Sequence, residues 1–341
     1  MIIYKYQYIS RDPIMQKVFV TGGTGFIGSH LVELLIKRKI FVRCLVRQTH
    51  KLRWLKGVEA EFVHGDLNDT DTLEFAVKDV DTVFHLAGKT TSPTEEGFYQ
   101  ANAVGTMNLL KAIIQSNPKL NRFVYLSSLS AVGPSSKERF LIESDSPNPL
   151  IPYGSSKLAG EEAVSAFKTQ IPVTIIRPPA VYGPRDLNIL KLSRIIQKGI
   201  KPVLGWRMRY MSFIYIDDLI KGILMATESR KAEGQTYFLV TDNHITYQDL
   251  NRIISKALKK KALTVHVPIK LFTIAIILRE MINKMQRKPV YLNRWKIQEL
   301  RQRYWICDDT KVRDELNFHP EISLEEGIEK TIAWYKEMGW L

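Results

Sequence analysis

Residues 15–30 read "MQKVFVTGGTGFIGSH". A short apolar run, Val18 to Val20, leads into glycines at Gly22, Gly25 and Gly28, and an apolar-periodic stretch over 26–38 follows. Strand, glycine turn and helix in that order are the context in which a glycine loop holds a dinucleotide. Glycine lets the backbone turn tightly and approach a pyrophosphate, and the last glycine lets helix and strand pack closely. The helix start offers N–H groups and the positive end of its dipole to the phosphates. Thr24, Phe26 and Ile27 complete the loop. The alternative is a glycine-rich turn without a ligand.

Working outward, β-like and helix-like patterns alternate. Strands are expected at 18–21, 41–46, 61–64, 82–86, 122–126 and 173–177. Helices are expected at 26–38, 71–77, 98–116 and 153–168. This alternation predicts an α/β fold, a Rossmann-type doubly wound parallel sheet with helices on both faces. After Gly183-Pro184 the alternation fades. Residues 187–197 and 248–258 read as helices, and "SFIYIDDL" as a strand running into a helix. The expected organisation is a flexible extension over 1–14, a dinucleotide-binding part over 15–180, and a smaller substrate-binding part over 181–341. The last part caps the sheet and is interleaved with it, without folding independently.

An NAD site usually carries an acid at the end of the second strand, where it bonds the ribose 2′-hydroxyl. Here that region, "FVRCLVRQTHKLRW", has no acid but holds Arg43, Arg47, Lys51 and Arg53. Arg47 suits a 2′-phosphate, which guanidinium can pair in bidentate fashion. The pattern favours NADP over NAD; an exposed basic loop is the alternative.

The chemistry enters with "YGSSKLAGEEA", in which Tyr153 and Lys157 stand four apart and share a helix face. A phenol is too weak a base at neutral pH unless a cation favours its ionised form. Lys157 and a cofactor cation are expected to do this, so that Tyr153 can take a proton from a hydroxyl or give one to a carbonyl. Ser128, at the end of "FVYLSSLSAVG" and twenty-five residues before Tyr153, can bond the substrate oxygen.

These motifs resemble the extended short-chain dehydrogenase/reductases, the NAD-dependent epimerase/dehydratase family, from about Met15 to the C-terminus. The matching segments are "TGGTGFIG", "GDLND", "VFHLAG", "NAVGTMNLL", "YLSS", "YGSSK", "IRPPAVYGPRD" and "FIYIDDL". The resemblance implies that Asp66 and Leu67 flank the adenine and that Leu86, Ala87 and Gly88 line the cofactor channel. It implies that Asn102 supports the active-site architecture, and that Tyr153 and Lys157 are the proton donor and its partner. Lys157 would also reach the nicotinamide ribose, with Pro178, Pro179 and Ala180 near the nicotinamide. Ser128 fits the catalytic position better than Ser127.

The departures narrow the chemistry. Sugar-nucleotide 4,6-dehydratases have Asp and Glu where this chain has Leu129 and Ser130. Epimerases commonly have Asn and Arg where it has Ala180 and Met211, although Arg207 or Arg209 could replace that cation. The "LVR" strand ending resembles the branch of dihydroflavonol reductases and 3β-hydroxysteroid dehydrogenases, which act on apolar alcohols and ketones. The leading expectation is therefore an NAD(P)-dependent oxidoreductase acting on a secondary alcohol or ketone of mostly apolar character. A nucleotide-sugar epimerase with retained NAD is the alternative, and a non-catalytic cofactor sensor is a third. The resemblance also suggests a homodimer.

Two cysteines far apart, Cys44 and Cys307, argue against a disulfide framework and a zinc site, and fit a reducing compartment such as the cytoplasm. The leader "MIIYKYQYISRDPI" lacks a signal-peptide core. The net charge of +14 is concentrated. Residues 250–305 hold fourteen Lys and Arg against two acids, Glu280 and Glu299. The uncharged run at 271–278 is eight residues, against the roughly 20 needed to cross a bilayer. Pro268 suits a helix start, with Phe272, Ile276, Met281 and Met285 near one stripe and Arg279, Lys284, Arg287 and Lys288 around it. Such a helix can lie on an anionic membrane, making 265–305 a candidate peripheral contact. The alternative is a core-packed helix with a solvated charged face. No nucleic-acid recognition motif accompanies the charge. The tryptophans Trp295, Trp305, Trp334 and Trp340 read as packing residues, and His85 as structural.

Overall fold

The structure, a computed structural model, describes residues 15–47, 52–136, 139–285 and 294–341. The 1–14 leader, Lys51, Arg287 and Lys288 lie outside the described residues, as do the side chains of Arg279, Met281, Lys284 and Met285. In chain order the strands are β1 (Lys17–Thr21), β2 (Phe41–Val46), β3 (Glu61–His64), β4 (Thr82–His85), β5 (Arg122–Leu126), β6 (Val173–Arg177), β7 (Ala180–Tyr182), β8 (Ile200–Leu204), β9 (Tyr210–Tyr215), β10 (Gln235–Phe238), β11 (Asp242–Thr246), β12 (Leu263–Val267) and β13 (Tyr304–Trp305).

Seven strands form one sheet in the order β10-β6-β5-β4-β1-β2-β3, every pair parallel. Its central strands are apolar on both faces, as a sheet covered twice by helices requires. One apolar core forms around Leu31, Leu35 and Ile220, and a second around Leu109, Ile113 and Val164. The order reverses between β1 and β4. There the connections leave toward opposite faces and open a crevice at the carboxyl ends of the strands. The sheet recruits β10 from well beyond residue 180, so the chain returns to it after building β7, β8 and β9.

The rest forms two smaller pieces. In one, β9 pairs with β7, β11 and β13. In the other, β8 and β12 make a two-stranded parallel ribbon. Helices Leu187–Gln197, Tyr247–Ala257, Ile269–Met285 and Arg294–Arg301 surround them.

The helix expected over 98–116 is broken. An α-helix at Glu95–Tyr99 passes through a π-turn, Gln100–Val104, into the helix Gly105–Ser116. The cause is local. The Asn102 carbonyl accepts the Thr106 hydroxyl at 2.8 Å and the Tyr125 hydroxyl at 3.3 Å, and the Gly105 N–H reaches back to Gln100. One widened turn inside a helix is a frequent device at functional sites.

Candidate active site

The glycine loop turns on contacts that leave no room for a side chain. Gly22 has φ +77°, and a Cβ there would lie 2.6 Å from the Ala87 nitrogen. At Gly28 a Cβ would lie 2.2 Å from the Gly22 carbonyl oxygen, which is how close the helix Phe26–Lys37 comes to the loop. The N–H of Gly25 donates to that same carbonyl at 3.0 Å. No side chain caps the helix, so its first turn is left to a ligand. A Cβ on Gly25 would meet only the Gly22 oxygen at 3.2 Å, so this side of the loop is open. Thr24, Phe26 and Ile27 are partly exposed around it.

The channel continues across the switch point. Leu86 and Ala87 donate their N–H groups to the Thr21 carbonyl and hydroxyl at 3.1 and 3.3 Å, tying the β4 exit to β1. A Cβ on Gly88 would lie 2.9 Å from Asn102 Oδ1 and 3.8 Å from Lys157 Nζ. Asn102, fully buried, donates to the Ser156 hydroxyl and the Lys89 carbonyl and accepts the Lys89 N–H. It pins the channel wall to the helix that carries Tyr153 and Lys157. Further out, Asp66 accepts the Asn68 N–H, and Leu67 packs on Gly105. A dinucleotide fits this cradle of close glycines, an uncapped helix start and a lined channel.

Of the basic residues after the loop, Arg47 is exposed immediately beyond β2. Arg43 points the other way. It is buried, paired with Glu61 at 2.7 Å, and donates to the Ala76 and Lys78 carbonyls, so it is a structural residue of the sheet. Arg53 is exposed.

Tyr153 and Lys157 lie in the helix Pro152–Ala166, whose proline occupies the first turn, where a missing N–H costs nothing. The Ser128 hydroxyl is hydrogen-bonded to the Tyr153 phenol and accepts the Ser130 N–H at 3.1 Å. Ser127 faces elsewhere: its hydroxyl bonds to Glu161. Adjacent residues of an extended backbone point to opposite sides, and this separates the two serines. Leu129 donates its N–H to the Pro178 carbonyl at 2.9 Å, and Ala180 begins β7 beside it.

The electrostatics correct one expectation. Lys157 is buried, with Nζ donating to the Leu126 carbonyl at 2.6 Å and lying 4.2 Å from the centre of the Tyr125 ring. Burial lowers its pKa to about 7, against a smaller upward pull from Glu161. Without nucleotide it is not a fixed cation at neutral pH. The Tyr153 phenol is accordingly raised by burial, with the Ser128 bond lowering it and Glu299 raising it, and was expected to be lowered by Lys157.

Two groups escaped the sequence reading. Glu161, one turn beyond Lys157, forms a buried bidentate pair with Arg177 at the end of β6, the shortest contact 2.6 Å. Arg177 in turn donates to the Glu143 carbonyl. The Tyr153–Lys157–Glu161 spacing was visible in "YGSSKLAGEE"; the partner on a distant strand was not. The second group is the helix Arg294–Arg301. Its Trp295 packs edge-on against Phe98, 5.8 Å between centroids, and Phe98 lies 6.2 Å from the Tyr153 ring. Leu300 on the same helix lines a cavity of about 280 Å³ with Leu192, Val203, Leu204 and Phe272. One helix thus joins the phenol to the cavity. Of the arginines that could replace a cation at Met211, Arg209 is spent on the Leu204, Arg207 and Leu300 carbonyls. Arg207 is exposed at the cavity rim.

His85 bonds Thr21 and Thr106 through its two ring nitrogens, and burial depresses its pKa to about 3, which makes it a neutral core residue. Both cysteines are buried and free, and among the described residues no group of His, Cys, Asp or Glu could hold a metal ion.

The chain is similar along nearly its whole length to proteins of several activities. It is 27% identical over 325 residues to a ceramide reductase of Caulobacter vibrioides, covering 95% of this chain and 96% of that protein. It is 28% identical over 336 residues to a UDP-glucose 4-epimerase of Vibrio cholerae, covering 93% and 94%. The crystal structure of a Bacillus cereus UDP-glucuronic acid 4-epimerase with UDP-glucuronic acid and NAD superposes with a TM-score of 0.75 at 25% identity, covering 94% of this chain and 99% of that one. The description of the NAD dependent epimerase/dehydratase family matches residues 18–239, from β1 through β10 and so across the whole seven-stranded sheet. An NAD(P)-dependent enzyme of the extended short-chain dehydrogenase/reductase type, the chain belongs to the NAD dependent epimerase/dehydratase family.

Proposed function

We propose that this protein is an NADP(H)-preferring oxidoreductase that interconverts a secondary alcohol and a ketone on a mostly apolar substrate. The observation that carries the reading is the cavity lined by Leu300 of the helix Arg294–Arg301, whose walls include Leu192, Ile195, Val203, Leu204 and Phe272. A nucleotide diphosphate would need cations and donors on those walls. Of the cations on the cavity lining, Arg209 is occupied by backbone carbonyls, and Lys191 and Arg207 are turned to solvent.

The glycine loop and helix start would hold the pyrophosphate, Asp66 and Leu67 would flank the adenine, Arg47 would take the 2′-phosphate, and Lys157 would bond the nicotinamide ribose. When bound, the dinucleotide supplies or accepts the hydride. Ser128 bonds the substrate oxygen and Tyr153 gives it a proton as the carbonyl carbon is reduced; oxidation of the alcohol reverses both transfers. Burial keeps the phenol protonated in the protein alone, so the proton that the reductive direction needs is in place.

The second reading, a nucleotide-sugar epimerase, draws on Arg207 at the cavity rim. Titration with NADPH and NADH, followed by NADPH consumption with long-chain and polycyclic ketones, separates the two. Expected are tighter NADPH binding, a loss of about tenfold in NADPH affinity alone in Arg47→Ala, and a fall of about 10²–10⁴ in kcat in Tyr153→Phe. Co-purified NAD with interconversion of UDP-glucose and UDP-galactose would overturn the proposal.

A further inference from the structure

The apolar lining of the cavity does not stop at its mouth. Side chains alternate along a strand, so Ile200, Pro202 and Leu204 of β8 share one face of the ribbon with Leu263, Val265 and Val267 of β12, in register. Pro202, Leu204 and Val267 line the cavity; Ile200, Leu263 and Val265 are exposed, Leu263 to 78%. The helix Ile269–Met285 repeats the arrangement. Its Phe272 lines the cavity, while Leu271, Ile274 and Leu278, on one helical face, are exposed. Trp206, 69% exposed beside the rim residue Arg207, stacks on His266 of β12. Where Lys259, Lys260 and Lys261 lead into Leu263, those lysines line an open depression together with Lys201, Arg252 and Lys256. Arg252 pairs with Asp249 at 3.3 Å; none of the five lysines is ion-paired among the described residues. No helix is long and apolar enough to cross a membrane among those residues.

We propose that this face docks on a bilayer containing anionic lipid. The strip formed by Leu263, Val265, Leu271, Ile274 and Leu278 enters the headgroup boundary, and the lysine depression sits over acidic headgroups. Apolar side chains beside unpaired cations are the combination such a surface attracts. A second copy of this chain would present the same cations, and repulsion opposes that occupant. Docking sets the cavity mouth against the bilayer, so that a lipid-like ketone or alcohol enters without crossing water. Only this last step rests on the proposed apolar substrate.

The test is co-sedimentation of the full chain with vesicles of phosphatidylcholine alone and of phosphatidylcholine mixed with phosphatidylglycerol, at low and high salt. Binding is expected to the mixed vesicles only and to weaken with salt. Changing Lys259, Lys260 and Lys261 together to Ala should lower it on the order of 100-fold. Leu271→Asp and Ile274→Asp should each lower it by about tenfold. NADPH titration verifies that each variant is folded. Failure to bind mixed vesicles at low salt, or binding indifferent to both sets of changes, overturns the proposal, as does a concentration-dependent dimer abolished by Leu271→Asp. Turnover of a water-soluble short ketone without vesicles reports on the proposed reaction alone, so the two readings fail separately.

Discussion

Behind Ser128, Tyr153 and Lys157, at the carboxyl edge of the large sheet, buried polar groups answer one another: Ser127 with Glu161, Glu161 with Arg177, Asn102 with Ser156 and Lys89. On the β8–β12 side the opposite holds, with lysines and large apolar side chains turned outward. The difference follows from what each region must do. A proton and a hydride need donors and acceptors fixed to fractions of an ångström, which a closed network of buried bonds supplies. The remainder of a substrate needs only volume and an entrance, and those tolerate variety. Relatives that reduce and relatives that epimerise can therefore share the first region's construction and part company in the second.

The comparison breaks most visibly at Glu161. Removing one partner of a buried ion pair leaves the other charged and unsolvated, at a cost of about 3–5 kcal/mol. Glu161→Ala should lower stability by that order in urea unfolding, because Arg177 is buried and, among the described residues, keeps one hydrogen bond, to the Glu143 carbonyl, and its contact with the Phe238 ring. The double change Glu161→Ala with Arg177→Met should recover most of the loss, since an apolar pair of similar volume often does as well as a buried ion pair. A single variant as stable as the parent would show that the network is ornamental.

Lys157 gives a pH signature. Its pKa falls from 10.5 in the unfolded chain to about 7 in the folded one, because burial penalises its charge. Between those values the unfolded state binds more protons, so the penalty is full below pH 7 and disappears as pH rises toward 10.5. In the nucleotide-free protein, parent stability should rise relative to Lys157→Met across that window, with a limiting slope of about 1.4 kcal/mol per pH unit. Parallel stability–pH curves would mean that the folded ammonium is solvated after all.

Much of this was legible in the amino-acid order, for unequal physical reasons. The bounds of β2, β3, β5 and β6 coincide with the runs read from sequence; the buried strands β2, β5 and β6 are mostly apolar and are punctuated by polar turns, while β3, at the sheet edge, carries only the short core Phe62–Val63. The glycine positions were legible because no other residue satisfies contacts as short as 2.2 Å. β10 was not: Gln235–Phe238 is four residues long and joins the sheet only through pairing with a strand almost sixty positions earlier. Nor was the π-turn, which depends on the Tyr125 hydroxyl arriving from another strand. The choice of Ser128 over Ser127 was legible through the resemblance, whereas the partners that fix them, Tyr153 and Glu161, came together only in the fold.

The smallest expected effect tests the permissive half. Phe272 reaches the cavity from the helix Ile269–Met285 and is partly exposed, so its truncation opens space at a wall that solvent already touches. Phe272→Ala should leave urea unfolding within about 1 kcal/mol of the parent, well below the loss for a fully buried aromatic. It should raise KM for a bulky apolar ketone by about tenfold, the value of one lost apolar contact, with kcat nearly unchanged. The split matters more than the size. A fall in kcat with unchanged KM would mean that Phe272 acts on the reacting carbon through the helix Arg294–Arg301, against which its own helix packs through the Arg301–Thr273 bond. The boundary between the fixed chemistry and the adaptable pocket would then have to be drawn further from β8 and β12 than the bonding pattern places it.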